Sequence, residues 1–222
     1  MRWIASGGGQ SCAMDGNRRV AEAQGARLVR VGDGAEALPA PVLPNGGDAL
    51  PALTQDHPPD MISGWIRLWI AGFLDTRAHW DGVICAVHDD LSQWLHVSAE
   101  EVVSSQSFLT PRLIAHLGGA AALCEAALSD SLSHPERLAA QLRMAEIRAD
   151  PAALTGYLIG AELAAARPYW LGQRVGVIGD GALAHVYAQA LTIQGCPVEQ
   201  ASVEDVLAPG LAALGQALNL AE

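Results

Sequence analysis

Residues 156–195 constrain the fold more strongly than any other part of the chain. Their pattern predicts a helix, a short buried strand over residues 174–178, a turn at Gly179-Asp180-Gly181 and a second helix with an apolar stripe. Asp150 followed by Pro151 predicts where the first helix begins, because aspartate caps helices and proline suits the first helical position. A glycine turn between a strand and a helix can hold a phosphate or a nucleotide, but it also occurs as a purely structural connection.

A dinucleotide-binding domain is one interpretation of this turn. The run Gly179-Asp180-Gly181-Ala182-Leu183-Ala184 fits the pattern GxGxxG/A, and Glu199 follows at about the spacing of the ribose-binding acid. The pattern normally opens its domain, whereas here only residues 185–222 follow. They provide one strand near Val198 and one helix over 203–218, which is too little for a doubly wound half. An NAD-binding domain is therefore kept as an alternative.

Composition excludes several functional classes. The 222 residues are 50% hydrophobic, which predicts an ordered core. All 13 basic residues are arginine, so neither a Schiff-base lysine nor a P-loop lysine is available. The net charge of −11 disfavours nucleic-acid binding. The four cysteines form no CxxC pair, so no metal site is expected, and the absence of an apolar leader or a long apolar run predicts a cytoplasmic protein without a membrane partner.

The first third of the chain predicts strands followed by a linker. Residues 1–35 indicate a β-hairpin, in which Gly7-Gly8-Gly9 followed by Gln10 and Ser11 is either a flexible turn or a loop that wraps a phosphate with backbone N–H groups. Residues 32–60 are rich in proline, glycine and aspartate and predict loop or linker.

The middle of the chain contains an apolar helix and a polar strand end. Residues 61–74 predict an amphipathic helix on which Trp65 and Trp69 form a face for core packing or for a homodimer interface. Residues 80–87 predict a buried strand that ends at His88-Asp89-Asp90. Asp89 and Asp90 are candidate catalytic or Mg²⁺-binding carboxylates, and they are also ordinary turn formers.

From Pro58 onward the chain resembles the 2-dehydro-3-deoxygalactonokinase family of sugar-acid kinases. The resemblance is carried by five segments: PPDMISG (58–64), WDGVICAV (80–87) with QWL (93–95), SFLTPRL (107–113), LIGAELAAARPYW (158–170) and VIGDGALAHVYAQAL (177–191). It implies an α/β fold of the ribonuclease H-like, actin/hexokinase type, with a truncated N-terminal part over residues 1–57 and a kinase-like domain over 58–222. It also implies that Gly179, Asp180, Gly181 and Ala182 lie at the nucleotide, that Gly7 to Ser11 are a remnant of the first phosphate loop, and that ATP and Mg²⁺ are the cofactors.

The chain departs from this family where charged groups are expected. The acid of the family's opening motif falls on or near Gly7, an arginine is replaced by Ser63, two glutamates by Trp65 and Ile66, and a lysine by Gln93. Phosphoryl transfer depends on charge stabilisation, so these changes put catalysis in question. Two functional hypotheses follow: ATP-dependent phosphorylation of 2-dehydro-3-deoxy-galactonate in galactonate catabolism, and a non-catalytic pseudoenzyme that binds a nucleotide, a sugar acid or a protein partner.

Overall fold

The computed structural model describes residues 1–88 and 90–220, and it confirms the predicted α/β class. The strands are β1 (Arg2–Gly7), β2 (Gln10–Asp15), β3 (Arg18–Val20), β4 (Arg27–Ala37), β5 (Ala40–Pro41), β6 (Ala49–Asp56), β7 (Pro59–Ile62), β8 (Gly82–Val87), β9 (Ser92–Ser98), β10 (Glu101–Phe108), β11 (Val175–Ile178) and β12 (Val198–Ala201). The helices are α1 (Gly64–Asp75), α2 (Thr110–Leu117), α3 (Glu125–Ser133), α4 (Leu138–Arg148), α5 (Pro151–Ala165), α6 (Arg167–Trp170), α7 (Gly181–Ile193) and α8 (Val203–Ala217). A 3₁₀ turn over Pro135–Arg137 precedes α4.

The strands form two mixed sheets with related orders. The first sheet has the order β3-β2-β1-β4-β6-β7, and β4 runs parallel to β1. The second has the order β12-β11-β8-β9-β10-β5, and β11 runs parallel to β8. In the first sheet β1, β2 and β3 are neighbours in sequence order, and β4, β6 and β7 extend the sheet on the other side of β1. In the second sheet β8, β9 and β10 are neighbours in the same way, and β11 and β12 extend the sheet on the other side of β8.

The described chain divides into two compact units. Unit 1 comprises Met1–Asp81, His96–Ser105 and the segment from Ala201 onward, and unit 2 comprises Gly82–Leu95 and Gln106–Gln200. These units do not follow the predicted boundary between residues 57 and 58. No helix within residues 1–88 or 90–220 combines the length and the apolarity needed to cross a bilayer.

The prediction of a linker over residues 32–60 is wrong. Most of this segment belongs to the first sheet, as the end of β4, all of β6 and the start of β7. One of the prolines and two of the glycines that suggest a loop lie together at one place within the sheet. Pro51 of β6 faces an irregularity of β4 between Val31 and Ala35, where Gly32 and Gly34 both have φ of +83°. A bulge is a position where a strand tolerates a proline without an N–H group.

Helix α1 is buried in unit 1 on nearly all sides. Trp65 is 7% exposed and donates from Nε1 to the carbonyl oxygen of Gly7 at 2.9 Å. Trp65 therefore packs in the core, which is one of the two roles that the sequence predicts for this face, while Trp69 is half-buried. A helix that is apolar on most sides packs into its own domain. The homodimer itself stays a prediction.

The charged group of α1 is buried as well. The side chain of Arg67 is fully buried and donates from Nη1 to Glu36 Oε2 at 3.0 Å. Further bonds run from Nη1 to the carbonyl of Pro51 at 2.9 Å, from Nη2 to Pro41 at 2.8 Å and from Nε to Val42 at 3.0 Å. Burial lowers the pKa of Arg67, and the neighbouring Glu36 carboxylate partly offsets this effect. One guanidinium thus joins α1 to β4, β5 and β6.

Candidate functional site

Sequence reasoning locates the candidate site at the carboxyl ends of β8 and β11 in unit 2. The two strands are parallel neighbours, with Val177 opposite Cys85 and Ile178 opposite Ala86. After β8 the chain continues to β9 on one side, and after β11 it continues through α7 to β12 on the other. In α/β sheets such a reversal of direction opens a crevice outside the carboxyl ends of the strands, where ligands bind.

The glycine turn after β11 fits tightly against β8. A Cβ atom added to Gly179 would lie 2.3 Å from the carbonyl oxygen of Val87, so any side chain there would collide with backbone. Gly181 has φ of +78°, a conformation that glycine adopts without strain. The predicted strand, glycine turn and helix are therefore all present, and both glycines have a backbone reason.

The first turn of α7 is open to a ligand. Asp180 occupies the N-cap position but makes no side-chain capping bond, and Asp180, Gly181 and Ala182 are exposed. The first N–H groups of a helix have no partner within the helix, and the helix dipole favours negative charge at this end. Phosphate is the kind of group that such a terminus binds. These residues can therefore hold a phosphate at the edge of the sheet.

The second candidate, Asp89-Asp90, lies in the turn between β8 and β9. Asp89 lies outside the described residues. Asp90 is exposed, and its carboxylate accepts a bond from Arg112 Nε at 3.1 Å. The backbone N–H of His88 donates to the carbonyl of Leu91 at 3.0 Å, which closes the turn. Asp90 thus lies beside the glycine turn along the sheet edge, as an exposed ion-pair partner.

Metal-ligating side chains do not cluster in the part of the chain that the structure describes. No group of three or more His, Cys, Asp or Glu side chains lies close enough together to hold an ion among those residues. Mg²⁺ in phosphate-transfer sites usually needs one or two carboxylates together with substrate phosphates. Asp90 is a described carboxylate at the sheet edge, and its bond to Arg112 would have to change before it could bind a metal.

The glycine run near the N-terminus forms a hairpin turn in unit 1. Gly7 pairs with Gln10 and Ser6 with Ser11, and the two residues between, Gly8 and Gly9, have φ of +56° and +78°. Positive φ at both central residues is typical of two-residue hairpin turns. A Cβ atom on Gly7 would lie 1.8 Å from the carbonyl oxygen of Val31. The run is therefore dictated by the hairpin and by its close contact with β4.

A buried carboxylate in unit 2 is the feature that sequence reasoning missed. Glu162 of α5 is 3% exposed. Its Oε1 atom accepts bonds from Ser92 Oγ at 2.7 Å and from Trp94 Nε1 at 2.8 Å, and its Oε2 atom accepts from Tyr187 Oη at 2.7 Å. Burial raises the pKa of Glu162, and hydrogen bonds from these groups and from Thr110 partly offset that rise. The sequence signal that could have identified Glu162 is that it is a single acid within the apolar run Leu158 to Leu163.

Comparison with known proteins points to one family. A model of the 2-keto-3-deoxy-galactonokinase family matches residues 125–214, which include α5, the Gly179 turn and α7. The predicted family resemblance is confirmed. A protein from Sinorhizobium meliloti assigned as a 2-dehydro-3-deoxygalactonokinase has a similar solved structure, with a TM-score of 0.74, 21% identity and coverage of 86% of this chain and 80% of that one. At this identity the similarity establishes the fold. No curated protein matches the chain significantly.

Proposed function

We propose that this protein binds ATP at the turn Gly179 to Ala182 and phosphorylates a sugar acid of the 2-dehydro-3-deoxy-galactonate type. The observation that carries the proposal is the position of this turn, which opens the first turn of α7 at the reversal point between β8 and β11. The family match over residues 125–214 covers the same turn and supports the reaction class.

A ribonuclease H-like fold is part of this proposal. The orders β3-β2-β1-β4-β6 and β10-β9-β8-β11-β12 follow one plan, in which the first strand of three consecutive strands has a later parallel neighbour. Glycine occurs at the equivalent place in both sheets. Gly7 approaches the carbonyl of Val31, and Gly179 approaches the carbonyl of Val87. A repeated sheet plan of this kind supports the duplicated core of actin- and hexokinase-type kinases.

The residues present suit the phosphates of ATP better than they suit a metal ion. Residues 180–182 are exposed, and the N–H groups in the first turn of a helix are neutral donors for an anion. Mg²⁺ would arrive bound to the nucleotide, and its contribution would be to neutralise charge on the transferred phosphate. The chain's own part is to orient the nucleotide at the sheet edge.

A second candidate function, binding without phosphoryl transfer, is favoured by the crowding at Gly7. The family resemblance puts a metal-organising acid at or near this position. A Cβ atom there would lie 1.8 Å from the Val31 carbonyl oxygen, so the backbone leaves no room for a carboxylate side chain. Trp65 and Ile66, which replace family glutamates, are 7% and 4% exposed and pack in the interior of unit 1. This candidate is the pseudoenzyme.

Two measurements on the purified protein separate the candidates. Calorimetric titration with ATP and Mg²⁺ tests binding, and coupled ADP release with added 2-dehydro-3-deoxy-galactonate tests transfer. Binding with turnover supports the kinase, and binding without turnover supports the pseudoenzyme. An absence of ATP binding refutes the kinase and leaves only a pseudoenzyme that binds a sugar acid or a protein partner. Binding of NADH, detected by its fluorescence, would restore the dinucleotide alternative.

A matched pair of variants tests the location of the nucleotide. Ala182→Glu puts a carboxylate beside the proposed phosphates, while a negative charge in the first turn of a helix favours helix stability. ATP affinity should therefore fall by tenfold or more without loss of folding. Ala182→Gln adds a side chain of similar size without charge, so its affinity should stay within about threefold of the wild type. Equal losses in both variants would indicate a steric effect, and no loss in either would place the nucleotide elsewhere.

A further inference from the structure

The carboxylate of Glu162 is buried, so it does not itself contact a nucleotide at the sheet edge, whether or not phosphoryl transfer follows. A charged group that is removed from water costs several kcal/mol unless hydrogen bonds satisfy it. Glu162 is almost completely buried, and its partners Ser92, Trp94, Thr110 and Tyr187 are all neutral donors. An apolar side chain of similar volume would fill the same space at lower cost. The acid therefore calls for an explanation beyond packing.

The donors to Glu162 come from three elements that flank the candidate site. Ser92 is the first residue of β9 and lies two residues after Asp90. Thr110 is the first residue of α2 and lies two residues before Arg112, the partner of Asp90. Glu162 is thus bonded to one residue close in sequence to each partner of the Asp90–Arg112 ion pair.

The third element is α7, whose first turn carries the proposed phosphate site. Tyr187 lies six residues after Gly181, on the buried face of the helix, and its hydroxyl reaches Glu162 Oε2 at 2.7 Å. Trp94 donates to the other carboxylate oxygen, Oε1, at 2.8 Å. A single carboxylate thus fixes the distance between the strand that follows the β8–β9 turn and the helix that follows the β11 turn.

We infer that Glu162 is a positioning residue, whose bonds to β9, α2 and α7 hold the two turns at the sheet edge in the geometry that binds the nucleotide. The inference rests on the proposed function for its effect on ATP affinity. The geometric part, the position of the two turns, concerns the nucleotide-free protein as well. Hydrogen-bonded networks of this kind act as units, so loss of one partner affects the others.

The test uses one conservative variant on each side of the bond and one matched control. Tyr187→Phe and Glu162→Gln each weaken the network while keeping its volume. Thr155→Val is the control, because Thr155 lies on the same helix α5, is fully buried, and donates one bond of 2.7 Å to the carbonyl of Ala120, away from the two turns. Each of Tyr187→Phe and Thr155→Val removes one hydroxyl group from a buried residue together with its hydrogen bond.

Two readouts distinguish positioning from general stability. Hydrogen exchange of peptides that contain residues 88–92 and 179–183 reports on the turns without nucleotide, and calorimetric titration reports the Kd for ATP with Mg²⁺. We expect faster exchange at both turns and a Kd raised about tenfold in Tyr187→Phe and Glu162→Gln, since a hydrogen bond to a charged group supports a change of that size. The variant that carries both substitutions should bind ATP no more weakly than the weaker-binding of the two single variants. Thr155→Val should change neither readout by more than twofold.

Each outcome decides a separate question. Unchanged exchange at the two turns in Tyr187→Phe and Glu162→Gln, or an equal change in Thr155→Val, would overturn the positioning role. If the wild-type protein does not bind ATP, the proposed function fails, and the exchange data alone still decide whether Glu162 holds the turns. If ATP binds and exchange responds while the Kd does not, the turns are held by Glu162 but do not form the nucleotide site, which overturns the inference.

Discussion

Replacing Arg67 with methionine should destabilise the protein severely. The fully buried guanidinium donates to the carbonyl groups of Pro41, Val42 and Pro51 and to the carboxylate of Glu36. Methionine keeps most of the volume and removes all of these donors. A buried acceptor that loses its partner costs about 1–3 kcal/mol, and breaking a buried ion pair costs about 3–5 kcal/mol. The side chain of Glu36 is 39% exposed, so water can hydrate its carboxylate after the substitution. The three carbonyl groups, at about 1–1.5 kcal/mol each, then give a total loss of about 3–5 kcal/mol.

Urea unfolding followed by circular dichroism measures this loss. With a denaturant slope of about 2 kcal/mol per molar, the midpoint should fall by about 1.5–2.5 M with an unchanged slope. The matched control is Arg30→Met, because Arg30 lies in the same unit and pairs with Asp33 and Asp48, but its side chain is 51% exposed. Exposed ion pairs contribute about 0–1 kcal/mol, so this variant should shift the midpoint by less than about 0.5 M. Equal shifts in both variants would refute the reasoning from burial.

Three further predictions follow from close contacts and from the pKa of a buried acid. Gly179→Ala should lower the free energy of unfolding by about 2 kcal/mol or more and also weaken ATP binding, because its Cβ would lie 2.3 Å from the Val87 carbonyl oxygen; urea unfolding and calorimetry measure the two effects. Gly72→Ala should lower the free energy of unfolding, measured in urea, by about 2 kcal/mol or more, because its Cβ would lie 1.7 Å from the Val206 carbonyl oxygen between α1 and α8. Burial raises the pKa of Glu162 above its ordinary value of 4.5, so the folded protein keeps this proton longer than the unfolded chain. The free energy of unfolding should therefore fall, relative to Glu162→Gln, as pH rises from the ordinary pKa through the raised one, and urea unfolding at a series of pH values checks this.

Controls for these variants are available in the same chain. Gly172→Ala and Gly181→Ala introduce a side chain where nothing lies within 4 Å of the added Cβ, at φ of +76° and +78°. Their cost is that of the left-handed conformation, about 1 kcal/mol. If these two substitutions cost as much as Gly179→Ala and Gly72→Ala, backbone collision is not the cause. For Glu162, a stability difference from Glu162→Gln that rises with pH would contradict the stated direction of the pKa.

Local patterns predicted the elements around the glycine turn well. The expected strand over residues 174–178 is β11, and the expected helix start at Pro151 coincides with α5, whose N-cap Asp150 accepts a bond from the N–H of Ala153. These predictions depend on signals within a few residues. The error over residues 32–60 has the same origin, because proline and glycine indicate a loop unless a neighbouring strand accommodates them, and that neighbour is distant in sequence.

The candidate site was predictable in part for a related reason. The glycines of the turn have local signatures, whereas the Glu162 network joins residues that are 25 to 70 positions apart in the chain. No periodicity links Ser92 to Glu162 or Glu162 to Tyr187. The burial of Trp65 could likewise not be read from the helix pattern alone, because an apolar face predicts that something covers it and does not say whether that is the same chain or a second copy.

Pro51 and the two glycines opposite it have a consequence for how the first sheet assembles. Residues 49–52 of β6 alternate in side-chain burial, so a slip of one residue along β4 would bring the buried side chains of this part of the strand to the wrong face. A slip of two residues would keep the faces correct, and burial alone would not prevent it. Such a slip would move Pro51 away from the irregularity at residues 32–34 and bring it against regular strand, where a missing N–H leaves a carbonyl without a donor. The proline therefore selects one alignment of β6 out of those that hydrophobic burial permits.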